Sequence, residues 1–180
     1  MKKLFNLCLL FVWCNIALAQ TKTFPIDETT QKITYTEVVN VEGVSKDELY
    51  ARAKNLGILG NNIVKDNPAE GIYVYKGQIN VTYPAPQLGQ AHSGVVNYLV
   101  TIACKDGRYK YTITDFTHYS DKASGGKLEG ALPECGKYTL KPEGWSSIKK
   151  QTMEYMDKFI VALKEKMNKP AVKTGSKDDW

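Results

Sequence analysis

The sequence predicts an α+β domain, an antiparallel sheet with two helices packed on one face, and three stretches carry that prediction. Residues 95–119 read as a β-hairpin, because Asp106-Gly107 accepts the positive φ angles of a two-residue turn and separates two runs rich in Val, Ile, Thr and Tyr. Residues 44–49 hold a helix start: Ser45 is the N-cap, Glu48 completes a capping box, and Val44 and Leu49 are placed as a hydrophobic staple. Residues 142–167 repeat Trp145, Ile148, Thr152, Tyr155, Met156, Phe159, Leu163 and Met167 at helical spacing, with lysines between them. Strands that follow one another directly after the first helix pair antiparallel, and the expected order is β-α-β-β-β-β-α.

The chain opens as a secretory leader. Met1-Lys2-Lys3 is followed by an apolar run over residues 4–17, broken by Asn6 and Asn15, and Ala17-Leu18-Ala19 is a small-x-small cleavage site. The apolar run is shorter than the ~20 residues that a membrane span needs. Neither Cys8 after Leu7 nor Cys14 after Trp13 fits a lipidated cysteine. The expected organisation is a signal peptide over 1–19, one domain over 20–167 and a polar, unstructured tail over 168–180, with no membrane span left after cleavage. Loss of Lys2 and Lys3 leaves 22 basic against 19 acidic residues, a balance of +3. That mild charge is spread along the chain with no basic block interleaved with aromatics, which argues against nucleic-acid binding.

The first strand covers 32–41, where Ile33, Tyr35, Val39 and Val41 alternate with Thr34, Thr36, Val38 and Asn40. The first helix starts at Lys46, buries Leu49, Ala53 and Leu56, turns Lys46, Asp47, Arg52 and Lys54 mostly outward, and stops at Gly57 or Gly60. Residues 62–66 form a short strand. The next strand buries Ile72 and Val74, then Ile79, Val81 and Tyr83, which requires a bulge or kink at Lys76-Gly77. A loop holding His92 runs to Gly94. In the hairpin a two-residue turn sets Cys104 opposite Tyr109, Ile102 opposite Tyr111 and Val100 opposite Ile113, six side chains on one face that the last helix must cover. Residues 120–141, rich in Gly and Pro, form a long irregular connection.

Cys104 and Cys135 are the cysteines of the mature chain, and an oxidising compartment permits a disulfide between them. The other reading makes Cys104 a small buried hydrophobe and Cys135 a loop residue.

Reactive chemistry is sparse. His118 lies three residues from both Asp115 and Asp121, but positions three apart on a strand face opposite sides, so the group is read as exposed strand-end residues rather than a metal or acid-base site. His92 beside Ser93 lacks a third partner. Gly125-Gly126-Lys127 resembles part of a phosphate loop without the flanking strand and helix. No catalytic, cofactor or metal residues are assigned. Tyrosine, with 11 copies, is the compositional excess. Tyr109 and Tyr111 belong under the helix, whereas Tyr73, Tyr75, Tyr119 and Trp180 form a candidate binding surface, since amphipathic rings bury area at low entropic cost.

Ile33-x-Tyr35, Val41-x-Gly43-x-Ser45, Leu49-Tyr50-x-Arg52-Ala53 and the run of residues 106–113 resemble the DUF4468 family of exported Bacteroidota proteins. The resemblance covers nearly the whole mature chain, with Leu56 standing where the family carries an aromatic. It implies a TBP-like fold with a five-stranded sheet and no activity, and the label describes geometry rather than DNA binding. The functional expectation is a periplasmic or secreted non-enzymatic module that binds or assembles with an envelope protein. The alternatives are a small-ligand or glycan binder with an aromatic-lined cleft, or a hydrolase with a site between the long loop and the sheet.

Overall fold

The structure, a computed structural model, describes residues 23–56, 62–84 and 89–170. The leader over 1–19, the helix stop at Gly57 or Gly60, and Trp180 lie outside the described residues. The elements are β1 (Tyr35–Asn40), α1 (Lys46–Leu56), β2 (Ile63–Asn67), β3 (Ile72–Pro84), β4 (Ala91–Lys105), β5 (Arg108–Tyr119), β6 (Gly126–Lys127) and α2 (Pro142–Asn168). All strand pairs are antiparallel, in the order β1-β5-β4-β3-β2, and β6 pairs with the far half of β5. The expected element order holds, and β6 is a short addition within the long connection.

The β4–β5 hairpin has the register that its Asp-Gly turn dictates: Cys104 faces Tyr109, Ile102 faces Tyr111 and Val100 faces Ile113. All six side chains are buried. The turn also anchors α1. The Asp106 carboxylate accepts the Lys46 N–H at 2.7 Å, and Gly107 N–H donates to the Val44 carbonyl at 2.8 Å. Ser45 Oγ accepts the Glu48 N–H at 3.2 Å, so the first turn of α1 is capped both locally and across the fold.

Two strands keep time differently from the alternation read in the sequence. On β3 the pairing with β4 runs from Ile72 to Pro84 without a shift, so Lys76-Gly77 is neither kinked nor bulged. The inward set is Tyr73, Tyr75, Gly77, Ile79, Val81 and Tyr83, an unbroken period of two in which Gly77 contributes no side chain. A Cβ on Gly77 would lie 2.2 Å from Tyr98 Cζ, so Tyr98 occupies the space that the glycine leaves. One register shift falls on β2, between Ile63 and Lys65 opposite Tyr75 and Val74, and another between β4 and β5, where two steps from Asn97 to Leu99 face three from Thr117 to Thr114 and Asp115 adopts φ +59°. One extra residue moves every later side chain to the opposite face. Phe116 and His118 therefore point inward, and Tyr119 outward at 51 % exposure.

Both helices pack on the inward face. α1 contributes Leu49, Tyr50 and Ala53, and α2 contributes Trp145, Ile148, Met156, Leu163 and Met167. Pro142 opens α2 at a position where a missing N–H costs nothing. Arg52, expected outward, is buried: Nη1 donates to the Met167 carbonyl and Nε to Glu48 Oε1, each at 2.9 Å. Its head closes an otherwise unpaired carbonyl at the end of α2, which a sequence stripe cannot show. The opposite face of the sheet is covered by no described element.

Candidate functional site

His118 is the buried histidine of the inner face, and its surroundings make it structural. It is fully buried, with ring centroids of Tyr83 at 5.4 Å and Trp145 at 6.2 Å. Gly94 makes room for it, since a Cβ there would stand 2.4 Å from Nε2. Nδ1 accepts the Gly125 N–H at 3.0 Å, which places the ring proton on Nε2, and Nε2 has no partner. Burial lowers its pKa to about 4, so the ring is neutral at physiological pH. Asp115 is engaged elsewhere, its Oδ1 accepting from Lys32 Nζ at 2.6 Å. The sequence reading of His118 as exposed is thus corrected by the β5 bulge. His92, expected in a loop, is half-buried on β4 against Tyr83, because β4 begins at Ala91.

The glycine loop is filled from within. Lys127 N–H donates to Glu134 Oε1 at 3.1 Å, and a Cβ on Gly126 would fall 2.0 Å from Glu134 Cδ. The chain's own carboxylate occupies the place where a phosphate would sit. Among the described residues no three His, Cys, Asp or Glu side chains gather into a metal-ligating group.

The cysteines are two free thiols, Cys104 buried and Cys135 partly buried. The pairing weighed from sequence is not made, and topology gives the reason. Cys104 sits opposite Tyr109 at the turn, whereas Glu134, next to Cys135, donates its N–H to Gly125, beside His118. Tyr109 and His118 are about 30 Å apart along β5, far beyond the reach of a disulfide. Burial raises the Cys104 thiol to a pKa of about 11.

Of the proposed aromatic surface, Tyr73 and Tyr75 are interior, at 2 % and 7 % exposure. The unbroken phase of β3 turns them under the helices, so they present nothing to a partner on the open face. Tyr119 does lie on that face. It borders an open recess of ≈ 610 Å³ with Asn80, Thr82, Ser93, Val95 and Asp121.

The open face itself is the main surface feature. Thr36, Thr112 and Thr101 form one row across β1, β5 and β4. The Thr36 and Thr112 hydroxyls are 3.2 Å apart, and those of Thr34 and Thr114 3.4 Å. Val38 stands 54 % exposed beside this row. The outward positions of β2 to β5 include Lys65, Lys76, Lys105, Arg108 and Lys110 and no Asp or Glu. Lys65 is neutralised by Glu70 at 2.8 Å. Two acidic strand residues stand at inward register positions and are bound there: Glu37 accepts from Lys164 and from Tyr111 Oη, and Asp66 from Tyr50 Oη and Lys54, while Asp115 at the bulge is exposed and paired with Lys32. Sequence periodicity located the face but not this segregation of charge, which depends on the β3 phase and the β5 bulge.

A second feature is a cavity of ≈ 410 Å³ between β3 and α2, lined by Tyr75, Gly77, Tyr98, Phe159 and Leu163, with Lys76 and Lys166 among its polar residues. No helix of the described residues is long and apolar enough to cross a membrane. Together the open face and the cavity offer hydrogen bonds, charge and apolar walls.

Residues 35–119 match the profile of a domain of unknown function with TBP-like fold, DUF4468. The structure is similar to that of a DUF4468 family protein from Bacteroides ovatus, with a TM-score of 0.61 and 17 % identity over 82 % of this chain and 93 % of that one. It is equally similar to a TBP-like protein from Parabacteroides distasonis, with a TM-score of 0.61 and 17 % identity over 82 % of this chain and 98 % of that one. No curated protein matches it. Residues 35–119 thus match the DUF4468 domain of TBP-like fold, and together with α2 the described residues form an antiparallel sheet with two helices on one face, the fold of these neighbours.

Proposed function

We propose that the protein is an exported, non-enzymatic binding module that meets an acidic protein partner in the cell envelope through the open face of its sheet. The observation that supports this reading most is the charge of that face, whose outward positions on β2 to β5 hold five basic and no acidic residues. Lys76, Lys105, Arg108 and Lys110 make no ion pair among the described residues, so their charges are available to carboxylates of a partner. The threonine row, Asn97 and Gln78 supply hydrogen bonds between those charges. Such exposed charges set association rate and partner choice more than affinity, and salt screens them. Export rests on the leader of residues 1–19 and places the partner in the periplasm or outside the cell.

The test is crosslinking capture from the native envelope. Wild-type protein is compared with a combined Lys76→Glu, Lys105→Glu, Arg108→Glu and Lys110→Glu variant, and with a Lys150→Glu, Lys158→Glu variant on the exposed side of α2. The sheet variant is expected to lose the captured protein while the helix variant keeps it. Equal capture by both variants would remove the open face as the binding surface.

A further inference from the structure

We propose that the free edge of β3 takes up a short extended peptide as an added antiparallel strand, with one apolar side chain of that peptide entering the cavity between β3 and α2. This goes beyond the open-face reading and does not rest on it. The direction of the β3 backbone groups carries the argument. Cys104 N–H donates to the Gly71 carbonyl at 2.8 Å, and pairing with β4 runs unshifted to Pro84, so the odd-numbered residues of β3 exchange their hydrogen bonds with β4. The even-numbered ones point to the other side. There Ile72 and Val74 pair with β2, and Lys76 N–H donates to the Asn62 carbonyl at 2.9 Å. Further along, Gln151 of α2 accepts the Thr82 N–H at 3.2 Å and donates to its carbonyl at 2.7 Å, as the peptide groups of a neighbouring strand would.

Between these two closures Gln78 and Asn80 are exposed, and their edge-directed N–H and C=O groups have no partner among the described residues. Two donors and two acceptors in strand geometry are the complement of an extended peptide, which adds to a sheet edge through its own backbone. Antiparallel pairing continues the pattern of every strand pair in the sheet. The closures also set the length of the occupant. The free stretch from Gly77 to Val81 spans about 13 Å of extended chain. A second copy pairing through its own 13-residue β3 would run into Asn62, which already holds the place beside Lys76. A short segment fits where a long strand does not.

The cavity selects the side chain. The peptide residue opposite Ile79 points, like Ile79, to the inner side of the sheet. On that side lies the cavity of ≈ 410 Å³, which reaches the edge at Gly77 and Gln78 and has Tyr98, Tyr155 and Phe159 as aromatic walls. Tyr98 packs edge-on against Phe159 at a centroid distance of 5.8 Å, which fixes one wall. An apolar side chain gains contact with these rings, whereas a charged one gives up its hydration.

The probe is a blocked pentapeptide of four threonines around a central leucine, added at about 1 mM to the isotope-labelled mature chain while amide hydrogen exchange is followed by NMR. Exchange at Gln78 and Asn80 is expected to slow at least fivefold, with no change at Ile79 and Val81, whose amides already face β4. Methylating the backbone nitrogen of either residue beside the leucine removes a donor aimed at β3 and is expected to abolish the protection. Methylating the nitrogen of the leucine itself, which points away from β3, is expected to leave it. Glycine in place of the leucine is expected to bind at least tenfold more weakly. Asn80→Pro removes an edge donor that the fold leaves unpaired and is expected to end binding. The methylated peptides act on the wild-type chain and decide the matter even where Asn80→Pro does not fold. No protection at about 1 mM, or protection indifferent to which nitrogen is methylated, would overturn the proposal. So would slow exchange at Gln78 and Asn80 without peptide in a protein that sediments as a dimer.

Discussion

At His118 one ring couples the interior of the domain to pH. Its Nδ1 takes the Gly125 N–H, its Nε2 lies where Gly94 has no side chain, and burial holds the folded-state pKa near 4. The unfolded chain protonates below the ordinary value of 6.5, so between pH 6.5 and 4 the unfolded state binds more protons than the folded one. Stability contributed by the neutral ring is present above pH 6.5 and is lost as pH falls through that window, by roughly 3 kcal/mol at most. Urea denaturation at stepped pH should show this loss in wild type and a flatter profile from pH 6.5 to 4.5 in His118→Gln, which does not titrate. Glu37 and Asp66 are stabilised as carboxylates, chiefly by Lys164 and Tyr50 respectively, so their contribution fades only at lower pH. Parallel slopes in the two proteins would contradict the assignment. None of this was legible in the sequence, where strict alternation put His118 outside. The signal missed was Asp115, one of the two described non-glycine residues with positive φ, at the bulge that reverses the phase.

Between elements the same contrast holds. The hairpin register followed from Asp106-Gly107 because a two-residue turn leaves one pairing, and the α1 start followed from Ser45 because capping is local. The phase of β3 did not follow, since Ile72 and Val74 are as apolar as Tyr73 and Tyr75, and only pairing with β4 along the full strand decides between them. Arg52 shows the limit of a helical stripe. Its guanidinium bridges α1 to the Met167 carbonyl of α2, a tertiary contact across 115 residues. Arg52→Ala leaves that buried carbonyl unpaired and should lower stability by about 2 kcal/mol in urea denaturation, with Arg52→Lys losing less. A change within error for Arg52→Ala would mean that the bridge contributes nothing.

Across the whole molecule, the two faces of one sheet have separate chemistries. The inner face buries its aromatic residues under two helices and pairs its acids with Lys164, Lys54 and tyrosine hydroxyls. The outer face keeps threonine rows and unpaired cations where no described element lies. The inner face holds nearly all of the buried apolar side chains of the domain. The most direct measurement places a photocrosslinking amino acid at Thr101, in the centre of the open face, and in a second protein at Lys158 on the exposed side of α2. Envelope fractions are irradiated with each at low and high salt. Binding through the open face predicts a discrete adduct from Thr101 that fades with salt and none from Lys158. An adduct from Lys158 alone would contradict it.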